Sequence, residues 1–204
     1  AIMFGGENPS TTAETFEYDG SSWTAGGNLS QARQLLAGAG TLTAGLAFAG
    51  AYPTPSAFLS VVSTEEYGGT SWTAGGNMNN ARNALAGAGT QTAALAIGGT
   101  PPGDRSRTEE YNGTAWAVGN NMSQGRQLLA ACGTQTAGLA FGGETNSNKT
   151  EEYDGTNWTN GGNLGSNRYK CAGAGTLAAG LVFGGSPGSL AITEEYAGPG
   201  TTIE

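Results

Sequence analysis

From Arg126 to Trp158 the chain reads RQLLAACGTQTAGLAFGGETNSNKTEEYDGTNW, and the same order of signals recurs along its length. An arginine opens the unit, a small-residue apolar stretch runs to a Gly-Gly pair, and a polar connection leads to Thr-Glu-Glu-Tyr, Asp-Gly and a tryptophan. The equivalent tryptophans are Trp23, Trp72, Trp116 and Trp158, separated by 49, 44 and 42 residues. Arg33, Arg82, Arg126 and Arg168 each follow their tryptophan by 10 residues, and Gly50, Gly99, Gly143 and Gly185 each follow the arginine by 17. Tyr18, Tyr67, Tyr111 and Tyr153 each precede their tryptophan by 5. Only the stretch from the glycine pair to the tyrosine varies, from 10 to 17 residues, which marks it as a surface loop that accepts insertions.

Each unit reads as four short strands. Strand a follows the arginine (Gln34 to Gly40), strand b ends in the glycine pair (Ala137 to Phe141), strand c carries Thr-Glu-Glu-Tyr, and strand d carries the tryptophan. Thr-Gln or Thr-Leu separates a from b. Between c and d stand Asp19-Gly20, Gly68-Gly69, Asn112-Gly113 and Asp154-Gly155, dipeptides that supply the positive φ of tight hairpins. Successive strands are therefore antiparallel. Four-stranded meanders repeated at this period predict the blades of an all-β propeller with no helix. Ala and Gly on strands a and b suit its crowded centre, and Tyr and Trp fill the widening space between blades. Burying one large aromatic contributes about 1.5–3 kcal/mol, so one tryptophan per unit is a large share of each junction.

The chain has 204 residues, within the size of one domain, with repeat units at about 1–32, 33–81, 82–125, 126–167 and 168–204. Its 37 glycines lack a Gly-X-Y period, which excludes collagen and assigns them to turns and close packing. Sixteen acidic against eight basic groups give a net charge of −8, unfavourable for nucleic acid. No apolar run approaches the roughly 20 residues of a membrane-spanning helix, so no membrane insertion is expected. Cys132 and Cys171 occupy repeat positions three apart, which on a strand face opposite sides, so no disulfide is expected between them. A chain poor in charge and rich in Ser, Thr, Asn and Gly suits an extracellular or virion surface.

This order, arginine before a strand ending in Gly-Gly, then an acidic stretch with Tyr, then Trp, resembles the kelch repeat over nearly the whole chain. The Asp-Gly after the tyrosine differs from the Asp-Pro of typical kelch units, which places the resemblance in a divergent, low-complexity branch like that of phage or environmental surface proteins. The resemblance implies a propeller serving as a binding module. Residues 1–6 match strand b, and the last unit departs from the pattern after Tyr196, with Thr201 where tryptophan is due. The strand count is then 18, in five blades with incomplete first and last units, whose open edges are expected to be covered by each other or by another chain.

The sequence contains no histidine, so the commonest general base and the commonest zinc or copper ligand are missing, and no cofactor or metal is expected. Adjacent glutamates on a strand point to opposite faces and do not flank one bond, which argues against glycoside cleavage. One glutamate of each pair is expected to bond the repeat arginine or a turn amide. The protein is expected to be non-catalytic, a structural or adhesive module contacting protein partners, or copies of itself, through b–c loops or open blade edges. A glycan-binding propeller is the alternative. Candidate contacts lie where the repeat breaks, in the b–c loops: Tyr52, Pro53, Pro55, Phe58 and Leu59 in the longest, Asp104, Arg105 and Arg107 in the next, and Asn146, Asn148 and Lys149 in the one after. Tyr52 and Phe58 lead, because exposed aromatics in an insertion mark contacts more often than charges do.

Overall fold

The computed structural model describes residues 1–7, 9–100, 103–144 and 147–198. Among these there is no helix, and the strands form five antiparallel sheets, the blades of a propeller, plus one small hairpin. Blade 1 consists of β1 (Ile2–Phe4), β2 (Thr15–Tyr18) and β3 (Trp23–Ala25). Blade 2 begins with β4 (Ala37–Thr41) and β5 (Ala44–Phe48). It is interrupted by the hairpin β6 (Ala51–Pro53) and β7 (Phe58–Ser60), and finishes with β8 (Thr64–Tyr67) and β9 (Trp72–Ala74). Blade 3 is β10 (Ala86–Thr90), β11 (Ala93–Ile97), β12 (Thr108–Tyr111) and β13 (Trp116–Val118). Blade 4 is β14 (Ala130–Thr134), β15 (Ala137–Phe141), β16 (Thr150–Tyr153) and β17 (Trp158–Asn160). Blade 5 is β18 (Ala172–Thr176), β19 (Ala179–Phe183) and β20 (Thr193–Tyr196).

The 18 expected blade strands are present, and strand a opens later than the sequence pattern suggests. That strand starts at Ala37, not Gln34, because Leu35 adopts a left-handed conformation (φ 54°) that breaks the extended run. Ala84, Leu128 and Lys170 repeat the same φ within one degree. These four residues line up around the axis through backbone bonds of 2.8 Å: Ala84 N–H donates to Leu35 O, Leu128 N–H to Ala84 O, and Lys170 N–H to Leu128 O. With their neighbours they bound a shallow axial hollow of about 180 Å³.

Register assigns each blade two faces. In blade 2 the rows Ala37, Phe48, Thr64 and Ala39, Leu46, Glu66 look forward to blade 3, while Gly38, Ala47, Glu65 and Gly40, Gly45, Tyr67 look back to blade 1. The junction between blades then follows one recipe. The Phe48 ring lies on Gly87, where a Cβ would come within 2.7 Å of it and 2.5 Å of Gly38 O, so only glycine fits. Phe4 sits on Gly38 and Phe141 on Gly173 in the same way. Tyr67, Tyr111, Tyr153 and Tyr196 each donate their hydroxyl to a carboxylate of the preceding blade: Glu17, Glu66, Glu110 and Glu152. The Nε1 of Trp72, Trp116 and Trp158 donates at 2.9 Å to Thr15, Thr64 and Thr108 of the preceding blade. Leu46, Phe48, Leu95, Ile97, Leu139 and Phe141 are thereby sealed from water.

At the two ends the recipe is half met. Tyr18 donates to Gly20 O of its own turn, and Trp23 is 52% exposed. The expected mutual covering of the terminal blades is not seen among the described residues, because the groups that would join them face solvent. Cys132 and Cys171 are both free thiols, although Cys132 on β14 and Cys171 just before β18 belong to adjacent blades and pack on the same apolar cluster, so the opposite-face reading does not describe how they are placed.

Candidate functional site

Each repeat arginine is spent inside its own unit. Arg126 Nη1 donates to Gly142 O (3.1 Å) and Lys149 O (2.8 Å), and Nη2 meets Glu151 Oε1 at 2.7 Å. Arg33 repeats this with Ala49 O, Ser63 O and Glu65, and Arg168 with Gly184 O, Ile192 O and Glu194. Arg82 bonds Gly98 O and Arg107 O and lies 3.3 Å from Glu109. The other oxygen of each glutamate accepts a backbone amide from the d–a connection: Ser30 (2.8 Å), Asn79 (2.7 Å), Ser123 (2.6 Å) and Gly165 (2.6 Å). The bridge pins both ends of the b–c connection to the start of strand a. Burial pushes each of Arg33, Arg82 and Arg126 below its ordinary pKa and the partner carboxylate pulls it back, with Arg82 settling at about 10. Glu66, Glu110 and Glu152, the second glutamates of their pairs, serve the next blade's tyrosine, so the two carboxylates of these pairs work on opposite faces.

Blade 1 departs from this scheme. Phe16 replaces the bridging glutamate, and a cavity of about 340 Å³ bordered by Met3, Gly5 and Phe16 lies where the other blades hold their arginine. The sequence signal was Thr-Phe-Glu-Tyr at residues 15–18 in place of Thr-Glu-Glu-Tyr.

The b–c connections carry the groups left free of the repeat. In blade 2 the connection folds into the β6–β7 hairpin, where a plain loop was expected, with Tyr52 opposite Leu59 and Pro53 opposite Phe58. Its base is held by two 2.8 Å backbone bonds between Gln34 and Ala51, and Asn83 Nδ2 reaches Ser60 Oγ at 2.8 Å from the next unit. Thr54 closes its tip by bonding Ala57 through backbone and hydroxyl. The framework presents Phe58 at 56% exposure and Leu59 at 50%, with Tyr52 half-buried beside them.

In blade 3, Asp104, Arg105 and Arg107 come together around a cavity of about 190 Å³, joined by Arg82, Thr100 and Asn80. Asp104 accepts from the Ser106 amide (2.8 Å), the Ser106 hydroxyl and Asn121 Nδ2 (2.6 Å). The Ser106 bonds, with Arg107 nearby, hold its carboxyl below the usual range. Arg107 donates to Asn80 Oδ1 at 2.5 Å, which fixes one wall. Asn80 comes from the d–a connection, and no spacing in the sequence marks it.

In blade 4, Asn148 turns inward to Leu164 O (3.0 Å) and serves the fold, while Lys149 projects into solvent. Asn146 lies outside the described residues. The candidates thus divide into a hairpin with an apolar tip, a polar cavity and a lone lysine, on equivalent connections of successive blades. Among the described residues, no group of three or more Cys, Asp or Glu gathers as a metal site would require.

No model of a known protein family matches the chain, and no curated protein matches it.

Proposed function

We propose that this protein is a kelch-like, non-catalytic binding module that contacts a protein partner through its b–c rim, with the β6–β7 hairpin as the principal contact. The observation that carries this reading is the exposure of Phe58 and Leu59 on a hairpin anchored at its base from two units. An apolar tip on a held framework loses little conformational freedom on docking, and buried aromatics dominate protein interfaces. The propeller supports it by absorbing the four repeat arginines and their partner glutamates in bridges, leaving recognition to the loops. The low charge and abundance of Ser, Thr and Asn support a setting outside the cell or on a virus particle.

The test places a photo-crosslinking amino acid at position 58 and, as control, at Val118, which is exposed on β13 of blade 3. Discrete protein adducts are expected from position 58 alone, in preparations of the cells or particles that carry the protein. Equal labelling from both positions overturns the reading.

A second reading, glycan binding, draws on the blade 3 cavity, where Asn80, Asp104, Arg105 and Arg107 offer the mixed donors and acceptors that hydroxyl-rich ligands use. Specific binding on a glycan array, lost in Arg107→Ala and kept in Phe58→Ser, would put this reading first.

A further inference from the structure

Of the eight basic residues in the chain, four are the repeat arginines held in bridges, and two of the remaining four, Arg105 and Arg107, border the blade 3 cavity together. Neither forms an ion pair among the described residues. Arg107 donates to Asn80 Oδ1, and the exposed guanidinium of Arg105 bonds nothing among the described residues. Asp104 does not neutralise them, because its carboxylate accepts from Ser106 and Asn121 instead.

Buried Arg82 adds a third guanidinium to the cavity wall. Its bridge is the loosest of the four, 3.3 Å to Glu109 against 2.9 Å in blade 2 and 2.7 Å in blade 4. Burial pushes the Arg82 guanidinium down to about 10, Glu109 offsets part of that, and the positive charge of Arg107 adds to it. Three guanidiniums thus stand against two carboxylates, Glu109 and Asp104. A surplus of one positive charge collects at this cavity in a chain of net charge −8.

Unanswered charge beside a perturbed group in a cleft is what ligand sites carry. The surplus matches a monoanion, and guanidinium forks fit a carboxylate at two points. Asn80, Thr100 and Asp104 bring an amide, a hydroxyl and a carboxylate to the same cavity, groups that bond the hydroxyls of a ligand. A dianion such as phosphate is served less well. The backbone amides of Gly99, Thr100 and Ser106 already donate elsewhere, so they form no nest for it, and Asp104 repels its second charge. The mouth is open at Gly103, where a Cβ would meet nothing within 4 Å.

We propose that the blade 3 cavity binds a carboxylated sugar unit, with Arg105 and Arg107 gripping its carboxylate and Asn80, Thr100 and Asp104 bonding its ring hydroxyls. This rests on the glycan reading and adds to it the group that is recognised; it is independent of the hairpin contact.

NMR titrations that follow the Nε–H resonances of Arg105 and Arg107 test it. The probes are glucuronate, galacturonate and N-acetylneuraminate, with glucose, acetate and inorganic sulfate as controls. At least one carboxylated sugar is expected to shift both resonances saturably and to bind at least about tenfold more tightly than any control, the factor that one charged hydrogen bond contributes. Arg105→Gln and Arg107→Gln are each expected to weaken that binding by about tenfold or more. The Arg105 side chain is exposed and unbonded, so Arg105→Gln should leave the circular dichroism unchanged even if Arg107→Gln disturbs the fold. Acetate binding as tightly as the sugars overturns the proposal, because an isolated carboxylate, such as an acidic side chain of a protein, is then enough. Sulfate binding as tightly overturns it because charge alone is then read. Glucose binding as tightly overturns it while leaving a neutral-glycan reading in place. Sugar binding undiminished in Arg105→Gln, or no response to any of the three sugars, overturns it too, and a glycan array then decides separately whether the glycan reading survives.

Discussion

Arg126 and Glu151 meet at 2.7 Å with both side chains sealed from water, whereas the first blade puts Phe16 in the glutamate's place beside a cavity. The fold accepts the bridge whole or an apolar replacement. Half a bridge is another matter, because the surviving charge is stranded in a dry interior. Arg126→Leu and Glu151→Leu should each cost about 3–5 kcal/mol. In the double variant the two losses should fall short of additivity by about 0.5–3 kcal/mol. Urea unfolding of the three variants measures this, and strict additivity would mean that the two residues do not sense each other.

Gly87 and Gly68 separate packing from backbone freedom. A methyl on Gly87 would press on Gly38 O and the Phe48 ring, while one on Gly68 would meet nothing within 4 Å. Gly87→Ala should cost about 1–3 kcal/mol through overpacking, and Gly68→Ala should be neutral or stabilise by up to about 1 kcal/mol by restricting the unfolded chain. Thermal unfolding of both decides it.

Alkaline pH should loosen the junctions. Burial, and then donation to Glu66, pushes the Tyr111 hydroxyl up to about 12, and Tyr196 reaches about 12 through burial and Glu152. An unfolded tyrosine titrates near about 10, so below that pH the hydroxyl is protonated in both states and the stabilisation is fully present. As pH rises from about 10 to 12 the unfolded chain loses its proton first, and stability falls. Burial raises the Cys132 thiol to about 11, which adds a similar loss starting near about 9. Urea midpoints followed against pH in a Cys132→Ala background should decline over the tyrosine window, and less steeply once Tyr111→Phe is added.

The β6–β7 hairpin should be separable from its blade. Ala51 and Ser60 hold its base, so replacing residues 52–59 by Asn-Gly keeps both anchors and closes a tight turn. Stability should change by no more than about 1 kcal/mol. A larger drop in the unfolding midpoint would give the hairpin a role in the core.

The constant spacings from tyrosine to tryptophan, tryptophan to arginine and arginine to glycine pair made the blades legible, since three distances hold from unit to unit while only the stretch from the glycine pair to the tyrosine varies. Which glutamate of a pair meets the arginine was legible in principle: it shares a face with Gly38 and Ala47, and its neighbour shares one with Phe48. The hairpin was not, because Pro53 and Pro55 speak against a strand, and an edge position that needs no ladder donor tolerates them. Asp104, Arg105 and Arg107 come together because they share one short connection. Asn80 reaches the same cavity from a segment whose spacing carries no sign of it, and Asn148, polar and in a loop, turned inward to a carbonyl. Trp23 looked like its three counterparts, since exposure depends on a neighbouring blade and not on local sequence.

At the hub, Ala84, Leu128 and Lys170 each hand an amide hydrogen to the residue before them in the series through backbone atoms alone, and the side chains there vary freely. A contact that asks nothing of side chains survives the shuffling of units. The donor and the acceptor that each unit brings to the axis belong to the backbone, so they do not depend on which side chain the position carries. Ring geometry and loop content are thereby written in separate parts of each unit, the first in the constant spacings and the second in the stretch after the glycine pair, which alone varies in length.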